Sequence, residues 1–403
     1  MTAGRLRTLD ELGDVGGTRV FLRVDLNVPL SDGSIADDSR IVAAIPTIDE
    51  LSERGAALVV ASHLGRPNGT PRDDLRTRVV ADALAGLLDG RAAIQALGMP
   101  DEPETIDAVG RLAPGDIAML ENLRFDPGEE ANEPRFAGRL AELADAYVAD
   151  AFGAAHRAHA SVVALPELML ASGRPAVAGR LLQKEVEVLG RLLHGPERPY
   201  VAVLGGAKVS DKLGVIDALL HRVDHVLIGG AMAFTLLAAE GASVGLSLVE
   251  QDRVEDVRGF RRTAEAEGVR IELPTDVVAA AEPSLDVPRM TVPAREIPDD
   301  LMGLDVGPST VEAFGRIIAD ARTVLWNGPM GVFEVEPFSE GTRGIALAIA
   351  GANAYSVVGG GDSIAAVRQA GLEGSFDHLS TGGGASLEFL EGRPLPGITI
   401  LED

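Results

Sequence analysis

Short, β-rich apolar runs alternate along this chain with longer segments of helical period, and that alternation limits the fold more than any other feature. A run that is apolar on both faces must be covered on both sides, which parallel sheets flanked by helices provide. Strands are expected at 19–24, 57–62, 117–120 and 146–149 in the first half, and at 200–204, 225–228, 323–326 and 354–358 in the second. Helical patterns fill the gaps, as at 38–54, 136–145, 249–267 and 310–320. The reading is an α/β protein of two doubly wound parallel-sheet domains joined by a helical hinge, and 403 residues suit more than one domain. The boundaries are set at 1–178, a linker helix at 179–195, and 196–386. Within the linker, Lys184-Glu185 reads either as a salt bridge or as a solvated helix face, the second being the simpler. The stretch stops at His194-Gly195-Pro196.

The two halves differ in the residues that terminate their strands. In the second half the runs meet glycine: Gly205-Gly206, Gly229-Gly230, Asn327-Gly328-Pro329 and Gly359-Gly360-Gly361. In the first half they meet charge: Arg23-Val24-Asp25, His63-Leu64-Gly65-Arg66, Glu121-Asn122-Leu123-Arg124 and Asp150. Ligands of open parallel sheets lie off the carboxyl ends of the strands. One half therefore presents bare backbone N–H groups, and the other presents guanidiniums.

Gly359-Gly360-Gly361-Asp362-Ser363 is the sharpest nucleotide signal. Glycines let the backbone approach phosphates, and a carboxylate beside polyphosphate is a natural Mg²⁺ contact. Helix capping by Asp362 and Ser363 is the plainer account of those two residues. Ser380-Thr381-Gly382-Gly383-Gly384-Ala385-Ser386 repeats the device ahead of a helical pattern at 387–390. A third loop, Gly205-Gly206-Ala207-Lys208-Val209-Ser210-Asp211-Lys212, carries two of the chain's three lysines. Where Arg occupies almost every basic position, Lys marks a need for a compact ammonium, unless biased composition left it by chance. Neither glycine run fits G-x-G-x-x-G or G-x-x-x-x-G-K-[ST], and the protein-kinase signatures are missing.

The arginines at first-half strand ends are Arg23, Arg40, Arg66, Arg124 and Arg157, with His63, His156 and His159 nearby in sequence. Taken singly each arginine reads as a surface ion pair; together they would hold a small, multiply charged acid. His156 and His159 have metal-ligand spacing without a third ligand, and Arg157 between them suits an anion better. Asp25 and Asn27 either orient substrate hydroxyls or belong to a turn. A net charge of −25 argues against nucleic acid and anionic membranes as partners. The lack of cysteine excludes disulfides and thiolate chemistry, and the start at Met1-Thr2-Ala3-Gly4-Arg5 lacks a signal-peptide core. A cytoplasmic protein is expected.

Arg23-Val24-Asp25-Leu26-Asn27-Val28-Pro29, Ser62-His63-Leu64-Gly65-Arg66-Pro67, Ala155-His156-Arg157-Ala158-His159, Gly205-Gly206-Ala207-Lys208-Val209, the segment Trp326-Asn327-Gly328-Pro329-Met330-Gly331-Val332-Phe333-Glu334, and the glycines before Ser363 together resemble the phosphoglycerate kinases. The resemblance implies reversible phosphoryl transfer between 1,3-bisphosphoglycerate and ADP, giving 3-phosphoglycerate and ATP, with Mg²⁺ as cofactor, in glycolysis and gluconeogenesis. It implies an acid site of Asp25, Asn27, Arg40, His63, Leu64, Gly65, Arg66, Arg124 and Arg157. The nucleotide site it implies is Gly206, Lys208, Lys212, Gly303, Asn327, Glu334, Gly360, Gly361, Asp362 and Ser363, with Glu334 at the ribose and Asp362 near the metal. It also implies a monomer, hinge-bending domain closure, and a carboxyl-terminal segment, 387–403, that completes the first domain. Ala154, where Thr is usual, and Gln183, where a more apolar or basic residue is common, depart from the family pattern.

Phosphoryl transfer asks little covalent help of a protein, because positioning and charge stabilisation carry it. The expected catalytic set is Arg40, Lys208 and the helix starts at Gly361 and Gly384. Two other readings stand beside this one: a nucleotide sensor without transfer activity, and an acyl-phosphate kinase acting on another acid.

Overall fold

The computed structural model describes residues 4–91 and 93–403, so Met1, Thr2 and Ala3 of the amino-terminal reading lie outside the described residues. The chain divides into two compact units. One holds the residues up to Glu187 together with Pro394–Asp403, and the other is Val188–Arg393.

The first unit is built on six strands, β1 (Arg19–Val24), β2 (Ala57–Ala61), β3 (Ile94–Ala96), β4 (Ile117–Met119), β5 (Ala146–Asp150) and β6 (Ala176–Ala178). They lie in the order β3-β4-β2-β1-β5-β6, every pair parallel. β2, β4 and β5 are buried at every position, as expected of strands covered on both faces. Helix α1 (Ser39–Glu53) covers one face through Ile41, Ala44, Ile48 and Leu51, a stripe at helical spacing. Chain order runs from β1 to β2 on one side and resumes with β5 on the other. The carboxyl ends of β1 and β5 therefore diverge, and this is where doubly wound sheets bind ligands. The returning segment is tied to the same unit. The Arg7 guanidinium donates to the Ile400 carbonyl at 2.7 Å, and the Gly397 N–H to the Ala155 carbonyl at 2.9 Å.

The second unit has β7 (Tyr200–Leu204), β8 (His225–Ile228), β9 (Arg270–Glu272), β10 (Asp276–Ala280), β11 (Arg289–Pro293), β12 (Met302–Val306), β13 (Thr323–Asn327), β14 (Tyr355–Gly359) and β15 (His378–Ser380). Its main sheet is parallel in the order β9-β8-β7-β13-β14-β15, and a small antiparallel sheet, β11-β10-β12, stands apart. The switch point falls between β7 and β13, whose first residues beyond the strand are Gly205 and Gly328.

Each expected strand is present, shifted by at most a residue at an end. Among the unexpected strands, β9 and β15 are three-residue edges with polar members and β11 is mostly exposed, so these three carry no apolar run, whereas β6 and β10 are short apolar strands that the expected set left out. The linker helix α2 spans Arg180–His194. Its solvated-face reading needs correction, because Lys184 is exposed while Glu185 is fully buried.

Candidate active site

At the carboxyl edge of the first sheet, the chain leaving β1 is stitched to the chain leaving β2. The Leu26 N–H donates to the Ser62 hydroxyl at 2.9 Å, and the Gly65 N–H donates to Asn27 Oδ1 at 2.8 Å. Asn27 therefore serves a turn, whatever else it contacts. Asp25 is buried and ion-paired with Arg40 on the first turn of α1. A side chain at Gly153 would collide with Asp25 Oδ2, so glycine there leaves room for the pair. From β4 comes Asn122, fully buried, accepting from Leu64 N–H at 3.1 Å and donating to the Leu64 carbonyl at 2.7 Å. Arg124 comes two residues later, donating to the Gly65 carbonyl at 3.0 Å and pairing with Glu130 at 3.2 Å. Nothing in the sequence around Asn122 assigns it a role; its part in shaping the His63-Leu64-Gly65 turn is a matter of tertiary contact.

Positive charge collects at this edge. Burial, then the charges of Arg23, Arg124 and Arg40, hold the His63 imidazole well below its ordinary pKa. Burial and the charges of Arg124, Arg23 and Arg157 push His159 down to about 4. Both rings are thus neutral near pH 7, and the arginines supply the charge. Arg157 is exposed and donates to His156 Nε2 at 2.9 Å. Arg66 is exposed too, and its side chain makes no ion pair among the described residues. No group of three or more His, Cys, Asp or Glu residues suited to a metal occurs among the described residues.

The second sheet ends in backbone. The Gly205 N–H donates to the Asn327 carbonyl at 3.0 Å, Gly206 N–H to the Pro329 carbonyl at 3.1 Å and Gly230 N–H to the Met330 carbonyl at 3.0 Å. Glycine is required by packing in these turns. A Cβ on Gly205 would lie 2.1 Å from the Pro329 oxygen, and Gly328 combines a φ of 101° with a 2.2 Å approach to the Gly205 oxygen. Lys212 is part-buried and donates to Asn327 Oδ1, with its pKa lowered by burial. Lys208 is exposed in the preceding loop.

Asp362 and Ser363 do not cap the helix after the third glycine turn, which corrects the expectation from residue type. Helix α3 (Gly361–Gln369) already starts at Gly361, its cap is Gly360 at φ 91°, and both residues sit in its first turn. The Ser363 hydroxyl instead accepts from the Gly328 N–H at 2.6 Å, binding this turn to the one after β13. The helix expected at 387–390 likewise begins earlier: α4 spans Gly384–Leu390. Gly359 and Ser380 are paired neighbours on β14 and β15, so the turns leading to both helices emerge from the same edge.

Beside these turns lies a cavity of about 300 Å³, lined by Gly206, Gly230, Phe234, Leu248, Gly303 and Met330, among others, with Glu334 and Asp362 also in its wall. Gly303, on β12, faces the Phe234 ring so closely that a Cβ would come within 2.2 Å of it. Phe234, Leu248 and Asp305 were not foreseen: Phe234 sits on the helix Met232–Ala239, Leu248 in a loop and Asp305 on β12, and no motif marks any of them. Asp305 is 3% exposed, accepts from Gly341 N–H at 2.6 Å and Val306 N–H at 2.9 Å, and burial raises its pKa to about 7. Asp362 is an exposed carboxylate beside the glycine turns. That fits Mg²⁺, which is commonly bound through one or two carboxylates plus substrate phosphates rather than by an all-protein cage.

The family model described as phosphoglycerate kinase matches residues 9–393. A phosphoglycerate kinase of Thermus thermophilus is 54% identical over 400 residues, covering 98% of this chain and all of its own. Among solved structures, phosphoglycerate kinase from Coxiella burnetii matches with a TM-score of 0.88 at 40% identity, over 98% of this chain and 99% of that one. The Pyrococcus horikoshii phosphoglycerate kinase matches with a TM-score of 0.85 at 33% identity, over 98% of both chains. With that coverage and that identity, the chain belongs to the phosphoglycerate kinase family.

Proposed function

We propose that this protein catalyses reversible phosphoryl transfer between 1,3-bisphosphoglycerate and ADP, giving 3-phosphoglycerate and ATP. The observation that carries the reading is chemical contrast within one chain. One sheet edge gathers guanidiniums around neutral histidines, and the other offers glycine turns, two lysines and an apolar cavity. In this reading the first unit, completed by the carboxyl-terminal segment, binds the acid, and the second binds the nucleotide. Arg40, Arg66, Arg124 and Arg157 take the carboxylate and phosphate groups, while Asp25 and Asn27 meet hydroxyls. His63, Leu64 and Gly65 form the turn that frames them. The nucleotide's base and ribose take the cavity beside Gly303 and Glu334. Lys208, Lys212, Asn327 and the amides at Gly206 and 360–363 take the phosphates.

The acceptor in the ATP-forming direction is a phosphate oxygen and in the reverse direction a carboxylate, so no general base is demanded. Catalysis rests on countering charge on the transferring group, assigned to Arg40, Lys208 and the helix starts at Gly361 and Gly384. Asp362, with the nucleotide phosphates, would hold Mg²⁺, which would supply Lewis-acid neutralisation of phosphate charge. The partners are then small molecules, without nucleic acid or membrane, and the protein is a cytoplasmic monomer. In support, no helix of the described residues is long and apolar enough to cross a membrane, and the acidic net charge repels polyanions.

A coupled assay with MgATP and 3-phosphoglycerate, acetate or glycerate tests the proposal. Turnover with 3-phosphoglycerate alone is expected. Preference for acetate points to another acyl-phosphate kinase, and nucleotide binding without turnover on any acid points to a sensor.

A further inference from the structure

Behind His63 lies a chain of buried polar residues to which phosphoryl transfer gives no direct role. Arg23 is 1% exposed, and Glu129 and Ser161 are wholly buried. A buried guanidinium is costly unless its N–H groups are partnered. Those of Arg23 have partners on every side. Its Nε donates to the Ser161 hydroxyl at 2.7 Å, and Nη1 donates to the Val24 carbonyl. Its Nη2 lies 3.9 Å from Glu129 Oε1 and 3.3 Å from His63 Nδ1. Ser161 is held in turn by Glu129: its hydroxyl donates to Oε1 at 2.6 Å and its backbone N–H to Oε2 at 2.9 Å. The Tyr147 hydroxyl, donating to the Ser161 carbonyl at 2.9 Å, ties the same residue to β5.

The contact between Arg23 and His63 has one chemical reading. A guanidinium has no lone pair to offer, so His63 Nδ1 must be the acceptor and the ring proton must sit on Nε2. We propose that Glu129, acting through Ser161 and Arg23, is a positioning residue that holds His63 in the Nε2–H tautomer, so that His63 serves the acidic substrate as a neutral hydrogen-bond donor. This rests on the reading of the first unit as the acid-binding one. Burial and the surrounding charges of Arg23, Arg124 and Arg40 favour the uncharged ring as well. A neutral donor adds no further charge to a crowded cluster, and its strength does not change as pH crosses neutrality.

Nitrogen NMR of the histidine rings in the full chain tests this. The chain has seven histidines, and His63→Gln identifies the signal. The wild-type ring is expected to show a protonated Nε2 and an acceptor Nδ1 from pH 5.5 to 8.5, without titration. Ser161→Ala removes the hydroxyl bridge between Glu129 and Arg23, leaving only the 3.9 Å ion pair, and should give mixed tautomers, with KM for 3-phosphoglycerate raised roughly tenfold and kcat changed far less. Ser161→Thr, which keeps the hydroxyl, should restore the single tautomer. Glu129→Gln, if it folds, should match Ser161→Ala. A wild-type ring protonated on Nδ1, or titrating near 6.5, overturns the proposal, as does a tautomer unchanged in Ser161→Ala. The ring signals need no turnover, so failure of the assay with 3-phosphoglycerate would be told apart from failure here.

Discussion

In the proposed reading, the two sheet edges solve one problem, holding an anion on a protein of net charge −25, by opposite means. The first uses long cationic side chains, and several of these are steadied by an acid from the same unit: Arg40 by Asp25, Arg23 by Glu129, Arg124 by Glu130. The second uses short loops whose glycines are pressed against one another, so that backbone does the work and Lys208 and Lys212 bring the positive charge. Side-chain sites can be tuned one residue at a time, whereas a backbone site stands or falls with its turns. Mutations at the two edges should therefore fail differently.

The largest effect is expected where charge meets the transferring group. Lys208→Ala should lower kcat about a hundredfold, roughly 3 kcal/mol, and weaken nucleotide binding much less. Steady-state kinetics beside calorimetric titration with ADP would check this, and equal losses in both would remove Lys208 from the catalytic set. Next comes the backbone edge itself. Gly328→Ala places a Cβ against the Gly205 oxygen at a φ of 101°, and should cost about 2–3 kcal/mol of stability, seen as a lower Tm. An unchanged Tm would show that the turns tolerate side chains, and the contrast between the edges would weaken.

At the arginine edge the pattern should reverse. Arg66 is exposed and makes no ion pair among the described residues, so Arg66→Ala should leave stability within about 0.5 kcal/mol and still raise KM for 3-phosphoglycerate roughly tenfold. Loss of stability without a change in KM would break the comparison.

The gentlest effect tests a likeness between the units rather than a difference. Each buries an aspartate that accepts two backbone N–H groups. Asp150 takes Leu181 and Leu182 at 2.9 and 3.1 Å, while Asp305 takes Gly341 and Val306. Burial raises both to about 7 from an ordinary 3.8. Between those values the folded state binds more protons than the unfolded one. Stability present below pH 4 should therefore fall as pH rises toward 7. Asp150→Asn and Asp305→Asn should each flatten that slope, by up to about one proton, in denaturant titrations at several pH values. Flattening by only one of them would show that the two sites are not equivalent.

Most of what positions the sites was legible in the chain. The apolar runs marked the central strands because a strand buried on both faces cannot afford polar residues. The glycines and arginines beyond those strands marked the two edges. What escaped was whatever depends on contact between distant segments. β9 and β15 are short polar edges, and the antiparallel β11 is exposed, so none had a pattern to read. Ser363 looked like a cap because Ser favours that place, but its hydroxyl is taken by Gly328. Asn122 and Glu129 carry no sequence pattern that assigns them a role, and only burial and contact show that they organise the arginine edge.

By itself the sequence determined the α/β class, the two parallel-sheet domains, the family and the chemical character of each edge. These depend on local periodicity and on residue types that have few physical uses. Tertiary structure decided which carboxylate steadies which arginine, which glycines are required by packing and which ring nitrogen of His63 carries the proton. Glu129, Ser161 and His63 are brought to Arg23 by the winding of the sheet, and no spacing along the chain encodes a meeting of that kind.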